Sequence, residues 1–481
     1  MTIRTVELES DTATAAPAPA PAEHAPSRRA RVTIACALAG TLLATLDTTV
    51  VNVALHSVTE RFGTIDKVQW IVTGYLLALV AAMPLAGWLA ARVGAGRAYL
   101  GAIALFGIGS ALCALSPSLE LLVASRVLSG AAAGIIIPLA TVLVARDVSR
   151  EQFARVQALN GSIQLIGPLL GPTVGGLLIE VGGWPAVFWL NVPVCIGIAC
   201  IGAFVVGPRP TGRPRPLDVL GLVTGATATV CAVSAISALS QDDSLRWFRV
   251  AGLAVISAVA LMLFVLRENR IEHPLLDLSL MRHRIFARAS VNVFLLGFLL
   301  YAPMVVIPLY FSAARGESSV TTGLLLSTAG LGVVISGSLC PRLMRRWGAG
   351  RTMIVGIVAT FVATVPLVTL SDDTSYPLLC GLLVVRGAGI GLAVVAVMTR
   401  AYQSSPAESI ADAAAQLNLL QRIGGALAAA IVSLVLSRAA TEHGGLVAGA
   451  FAETSWWLVG AAAVTLVPAI ALARAEVRTE S

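Results

Sequence analysis

Apolar stretches of about 20 residues, broken only by short polar turns, recur from residue 32 to residue 473. Each is long enough to cross the roughly 30 Å hydrocarbon core of a bilayer as a helix. In that medium a backbone can satisfy its own polar groups only as helices or a closed barrel. Runs of this length are helical spans, so the chain reads as an all-α integral membrane protein. Only 12% of its residues are charged and 57% are apolar, whereas a soluble domain carries about 25% charged residues. A water-soluble globular protein is excluded.

Fourteen spans are predicted: 32–55, 69–90, 98–115, 119–144, 153–179, 186–206, 218–239, 248–266, 286–309, 321–340, 352–370, 377–399, 412–436 and 454–473. The loops between them average about ten residues, too short for a soluble domain. Basic residues resist translocation and collect in cytoplasmic loops. With the N-terminus inside, cytoplasmic segments hold 24 of the 33 lysines and arginines, outer loops hold six, and three lie within helices. Both termini are therefore expected in the cytoplasm. The net charge of +7 is this topology signal; the arginines are scattered over short loops, so no nucleic acid partner is expected. The eight tryptophans, among them Trp70, Trp88, Trp184, Trp456 and Trp457, fall near span ends, where their rings suit the headgroup level.

Residues 1–31, rich in alanine and proline, read as a disordered cytoplasmic tail. The apolar run after it is longer than a signal-peptide core and reads as an uncleaved anchor. The seven cysteines lack metal-ligand spacing and the five histidines fall in tails or loops, so no metal and no cofactor is expected. Arginine outnumbers lysine 32 to one, which points to a GC-rich genome; the location expected is the bacterial cell (inner) membrane.

The chain repeats itself. Leu89-Ala-Ala-Arg-Val-Gly-Ala-Gly-Arg97 follows the second span and Leu343-Met-Arg-Arg-Trp-Gly-Ala-Gly-Arg351 follows the tenth, sharing L-x-x-R-x-G-A-G-R. Arg126 in the fourth span has a counterpart, Arg386, in the twelfth. Two six-helix units, 32–206 and 286–473, separated by two extra helices at 218–266, account for this spacing. The linker 207–217, the loop 267–285 and the tail 474–481 are then cytoplasmic. Internal symmetry of this kind is typical of secondary transporters, whose substrate sites lie between the repeats.

These residues resemble the major facilitator superfamily (MFS), and within it the fourteen-helix drug:proton antiporter family 2, over residues 32–473. Leu46-Asp47-Thr48-Thr49-Val50-Val51-Asn52 is similar to that family's first-helix signature, and Trp70-Ile-Val-Thr-Gly-Tyr75 to its second helix. Arg126-Val-Leu-Ser-Gly130 is similar to the fourth-helix arginine motif, and Asn191-Val-Pro193 to the start of the sixth. Gly167-Pro168-Leu-Leu-Gly171-Pro172-Thr-Val-Gly175-Gly176 resembles the fifth-helix antiporter motif. The loop Gly87-Trp-Leu-Ala-Ala91-Arg92-Val-Gly94, running on to Arg97, resembles the cytoplasmic gate loop, with Ala91 where that family carries an aspartate. The resemblance implies antiport of drugs or antibiotics against protons. The alanine removes one acid from the charge network thought to lock the inner side.

Asp47 is the one acid deep within a predicted span. A charge there costs about 2.5 to 3.5 kcal/mol on insertion scales, so such residues face a cavity or a partner and mark ion or proton pathways. Counted from the outer surface, Asp47 and Arg126 reach similar depths, about 12 Å and 10 Å at the helical rise of 1.5 Å per residue. The two are candidates for proton coupling, against a purely structural buried pair. Glycines at 167, 171, 175 and 176 allow close helix approach, and Pro168 and Pro172 bend the helix. Asn160 and Gln164, and likewise Asn418 and Arg422, stand four apart on one helical face. With Asn52, Tyr75 and Asn191 they are candidates to line a substrate cavity, although amides also bind helices to one another. A single carboxylate serving proton and substrate is poorly suited to dications; neutral or monocationic amphiphiles are favoured, and Arg422 leaves anions open.

The function expected is proton-coupled efflux of small amphipathic compounds by alternating access, the partners being a small-molecule substrate, protons and the lipid bilayer, with the protein a monomer. An uptake symporter or uniporter uses the same fold, and the antiporter motif argues against it. An integral-membrane enzyme needs catalytic groups clustered at a membrane face, and neither an H-x-x-x-x-D pattern nor a histidine-rich site is present. No Gly-x-x-x-x-Gly-Lys segment occurs, which excludes ATP-driven pumping by this chain.

Overall fold

The computed structural model describes residues 27–62, 70–147, 150–205, 216–238, 245–271, 277–317, 319–371, 373–406 and 409–480. Residues 1–26, most of the 207–217 linker and part of the 267–285 loop lie outside the described residues, as do the side chains of Asn52, Pro168 and Pro172. The described residues are overwhelmingly helical, with no strand among them.

A helix stands at every place where a span is expected. The first half comprises α1 (Arg28–Phe62), α2 (Trp70–Ala82), α3 (Leu85–Val93), α4 (Ala95–Ala114), α5 (Leu119–Asp147), α6 (Arg150–Gly182), α7 (Trp184–Trp189) and α8 (Asn191–Val205). α2 and α3 form one bent span with a 53° break at Pro84, whose ring leaves a turn of the helix without its donor. α9 (Val219–Ala238) and α10 (Arg246–Glu268) follow. The second half comprises α11 (Arg284–Leu309), α12 (Ser319–Trp347), α13 (Ala349–Thr364), α14 (Tyr376–Gln403), α15 (Ile410–Glu442) and α16 (Ala448–Glu480). Among the described residues ten helical stretches are long and apolar enough to cross a membrane, eleven if the bent pair is one span. The difference from fourteen lies in α6 and α9, which are not among them, and in α12 and α13, which share a single stretch, Thr321–Thr369.

Helix pairing repeats with the sequence. In the first half α1 packs on α5, α6 and α8, α5 also receives α2 and α4, and α4 packs on α8. Eight spans on, α11 packs on α14, α15 and α16, α14 also receives α12 and α13, and α13 packs on α16. The repeated loops turn alike: Gly94 and Gly348 sit at φ 89° and 81°, a region that L side chains avoid. Glycine is thus required at the G of both G-A-G-R turns.

The halves meet where α6 packs on α12 and α14, and where α15 packs on α3 and α5. The inserted helices pair with each other, and α9 rests on α2 and α15, beside that junction. Asp218 accepts from Arg267 at 2.8 Å, tying the inserted pair together at one end. α10 exposes Trp247, Phe248, Val255 and Leu263, an apolar face that suits lipid rather than water.

Candidate functional site

Asp47 comes from α1, Arg126 from α5, and the two meet at 2.5 Å between Oδ2 and Nη1. The aspartate is 2% exposed and the arginine 1%. Further polar groups hold both partners. Asn191, at the start of α8, donates to Asp47 Oδ1 at 2.9 Å and reaches Ser110 Oγ on α4 at 3.2 Å. Arg126 Nε donates to the Ile71 carbonyl of α2, and its guanidinium lies 4.0 Å from the Tyr75 ring centroid and 5.7 Å from that of Phe188. Tyr75 in turn donates to the Ala44 carbonyl at 3.2 Å. A pair so desolvated stays intact because each charge also has hydrogen bonds; removing one partner of such a pair costs about 3–5 kcal/mol. Six helices converge on it.

Gly167 and Gly171 let α6 lie close against the segment of α1 that carries Asp47. A Cβ on Gly167 would fall 2.9 Å from Thr45 Cβ, and one on Gly171 2.7 Å from Thr49 Cβ, both inside van der Waals contact. Gly175 is buried. Gly176 is different: a Cβ there meets nothing within 4 Å.

Between the halves lies a cavity of about 710 Å³. From the first half Thr45, Thr48, Thr49, Gln157, Gly161 and Gln164 line it; from the second, Tyr301, Tyr402, Asn418, Gln421 and Arg422. Gln164, Asn418 and Arg422, three of the residues expected to line a substrate cavity, are among those that line this one. Tyr75, Asn160 and Asn191 do not line the cavity. Tyr75 and Asn191 are drawn into the shell of the ion pair, whose charges compete for every nearby polar group. Asn160 is 1% exposed, and neither atom of its amide has a hydrogen-bond partner among the described residues. Asn52 has its side chain outside the described residues.

The sequence reading missed lining residues, Gln157, Gly161, Gln421 and Tyr402 among them, and the contacts beneath the cavity floor. Gln157, Gly161 and Gln164 are spaced i, i+4, i+7, the stripe of one helical face, and Gln421 adjoins Arg422; these spacings were legible. The floor was not. Phe153 of α6 meets Tyr402 of α14 edge to face, centroids 6.0 Å apart, joining the two halves at the end that carries the arginine-rich loops. At the same end Gly87 of α3 faces Asp412 of α15, so closely that a Cβ on the glycine would collide with the carboxylate oxygen and stand 3.2 Å from its carbon. An acid contributed by the other half thus stands beside the helix that carries Ala91. Arg92 and Arg97 are exposed there, Arg92 lying 5.5 Å from the Trp88 centroid. Toward the opposite end the lining includes the exposed Leu76 and Ser312.

Arg386 is a structural echo of Arg126 without its acid. It is buried, donates to the Leu299 carbonyl of α11 at 2.5 Å, and has no ion pair among the described residues; Arg126 makes the same kind of bond to Ile71.

Like-paired helical halves, an apolar cavity between them and a buried ion pair beside that cavity define a repeat-built membrane transporter rather than an enzyme. The chain belongs to the Major Facilitator Superfamily, whose pattern matches residues 37–429. Among its relatives are the "Multidrug resistance protein B homolog" of Mycobacterium tuberculosis (strain ATCC 25618 / H37Rv), 30% identical over 84% of this chain and 75% of the relative, and the "Methylenomycin A resistance protein" of Bacillus subtilis (strain 168), 32% identical over 88% of this chain and 91% of the relative. The solved structure of the human organic anion transporter MFSD10 (TETRAN) superposes with a TM-score of 0.64 over 92% of this chain and 99% of its own. At 15% identity that likeness is one of fold alone.

Proposed function

We propose that this protein exports small amphipathic compounds from the bacterial cytoplasm in exchange for protons, as a monomer of fourteen spans with both termini inside. The two six-helix units, 32–206 and 286–473, rock about the cavity between them, and the pair at 218–266 braces α2 and α15. The observation that carries the reading is the contact of Asp47 with Arg126. It is a carboxylate one to two residues along α1 from three cavity threonines, held by an arginine and an amide that can each release it. Protonation of Asp47 cancels its attraction to Arg126 and frees α1 to move against α5. Gly167 and Gly171 transmit that movement to α6, which borders α12 and α14 across the junction.

Residues Phe153, Tyr402, Gly87 and Asp412 close the cytoplasmic side, leaving the cavity directed outward. Export then proceeds when this closure opens, substrate enters from inside, and the return to the outward form delivers it. Everted membrane vesicles given an imposed pH gradient, acid inside, should accumulate members of a panel of dyes and antibiotics, with collapse of the gradient by a protonophore abolishing accumulation. Uptake that follows the substrate gradient alone, unchanged by the protonophore, would identify a uniporter instead.

A further inference from the structure

Among the described residues the cavity carries one charged side chain, and it is a cation. Of the described residues that line it Arg422 alone is charged at neutral pH, and no aspartate or glutamate is among them. Asp47, the acid nearest in sequence to the threonine wall, is occupied by Arg126 and Asn191 and does not reach the lining. Arg422 has no hydrogen bond or ion pair among the described residues. It lies ten residues into the 412–436 span, about 15 Å from its end at the helical rise, where an unpaired cation is costly unless it faces water or a ligand. Its neighbours on the cavity wall, Asn418 and Gln421, and the facing Gln157, Gln164 and Thr48 supply further donors. The rest of the wall, including Leu76, Leu300, Met304, Val394 and Met398, is apolar.

We propose that the transported compounds are amphipathic organic acids in their anionic form, bound with the carboxylate or a like oxyanion on Arg422 and the apolar body against the aliphatic wall. This rests on the reading of the cavity as the transport site. A carboxylate is acceptor-only and matches a guanidinium in a two-point contact. An ammonium placed there meets a like charge and no acid to compensate it. The cavity volume of about 710 Å³ fits one molecule of drug size. The inference reverses the substrate charge favoured by the sequence, because the deep acid counted there as substrate-facing is turned to its own arginine.

The test uses the full chain in lipid nanodiscs and matched probes on one scaffold: tritiated 1-naphthaleneacetic acid, its amide, and 1-naphthylethylamine, with the same triplet built on two alicyclic scaffolds. The acids should bind more tightly than the amides and the amines most weakly. Arg422→Gln should weaken acid binding about 10- to 100-fold, the range of a charge-assisted hydrogen bond, while amide binding stays within about twofold and thereby reports an intact fold. Arg422→Lys should keep part of the acid preference, since it retains the charge but not the fork. Amines binding as tightly as acids, acids binding equally to Arg422→Gln, or no acid binding in any triplet would overturn the assignment. The same probes in everted vesicles separate this from the export reading. Accumulation of amides or amines without acids leaves export standing and removes the anion assignment; acid binding that depends on Arg422 without accumulation of any probe does the reverse.

Discussion

Adding one methyl group at Gly171 should loosen the joint between α1 and α6. A Cβ at that position stands 2.7 Å from Thr49 Cβ and 3.2 Å from the Thr49 carbonyl carbon, with Thr49 Oγ1 closer still. The hydroxyl can turn away at the loss of its bond to the Leu46 carbonyl, but the Cβ and the backbone cannot. Carbon atoms settle at about 3.5–4.0 Å, so the helices must part by about 1 Å at this level or the core must absorb the overlap, which costs about 1–3 kcal/mol. Thr49 is two residues from Asp47, so the strain acts directly on the ion pair. Gly176→Ala is the matched control: its Cβ meets nothing within 4 Å, and alanine favours a helix over glycine by up to about 1 kcal/mol. Purified variants in nanodiscs, compared by thermal unfolding and by efflux rate, should show Gly171→Ala less stable and slower than wild type and Gly176→Ala unimpaired. If both variants behave as wild type, or both lose stability alike, the close approach of α6 to α1 is not what the glycines provide.

Three further outcomes follow from the same geometry. In a background without native cysteines, cysteine at Thr441 or Thr374 should react with an impermeant thiol reagent in intact cells and cysteine at Arg282 should not; the opposite pattern would invert the topology. Gly87→Val should push α3 from Asp412 and shift the protein toward the inward-open form, read as reduced labelling of a cysteine at Ser312, whereas unchanged labelling would show that this contact does not hold the inner side closed. Phe153→Ala removes an edge-to-face contact worth about 0.5–1.5 kcal/mol and should move Ser312 labelling in the same direction, with no change refuting the role of the aromatic floor.

Helix positions were legible because in lipid each backbone bond must be made within its own segment, so length and apolarity alone mark them. The repeat at 89–97 and 343–351 was legible because its G-A-G-R turn needs glycine at φ 89° and 81°, a local requirement written in residue type. The facing of side chains was not. Tyr75 and Asn191 look like cavity residues in a linear reading, and only the convergence of α1, α2, α4, α5, α7 and α8 shows that the buried charges claim them. Asp412 stood at the first residue of a predicted span, where an acid is unremarked, and its position beside Gly87 is set by the packing of α15 on α3, 325 residues away in sequence. Gln157 and Gln421 were within reach of helical periodicity, since each shares a face with a residue already singled out.

Asp47→Asn tests most directly whether Asp47 carries the exchanged proton. The amide keeps the shape and can still hydrogen-bond, but it leaves Arg126 without its counter-charge and cannot cycle a proton. One exported compound is followed in everted vesicles in two modes: accumulation driven by an imposed pH gradient, and exchange at equal pH. If Asp47 is the carrier, Asp47→Asn loses accumulation above equilibrium while exchange persists, which also shows the variant to be folded. Wild-type accumulation by Asp47→Asn under the pH gradient would contradict it.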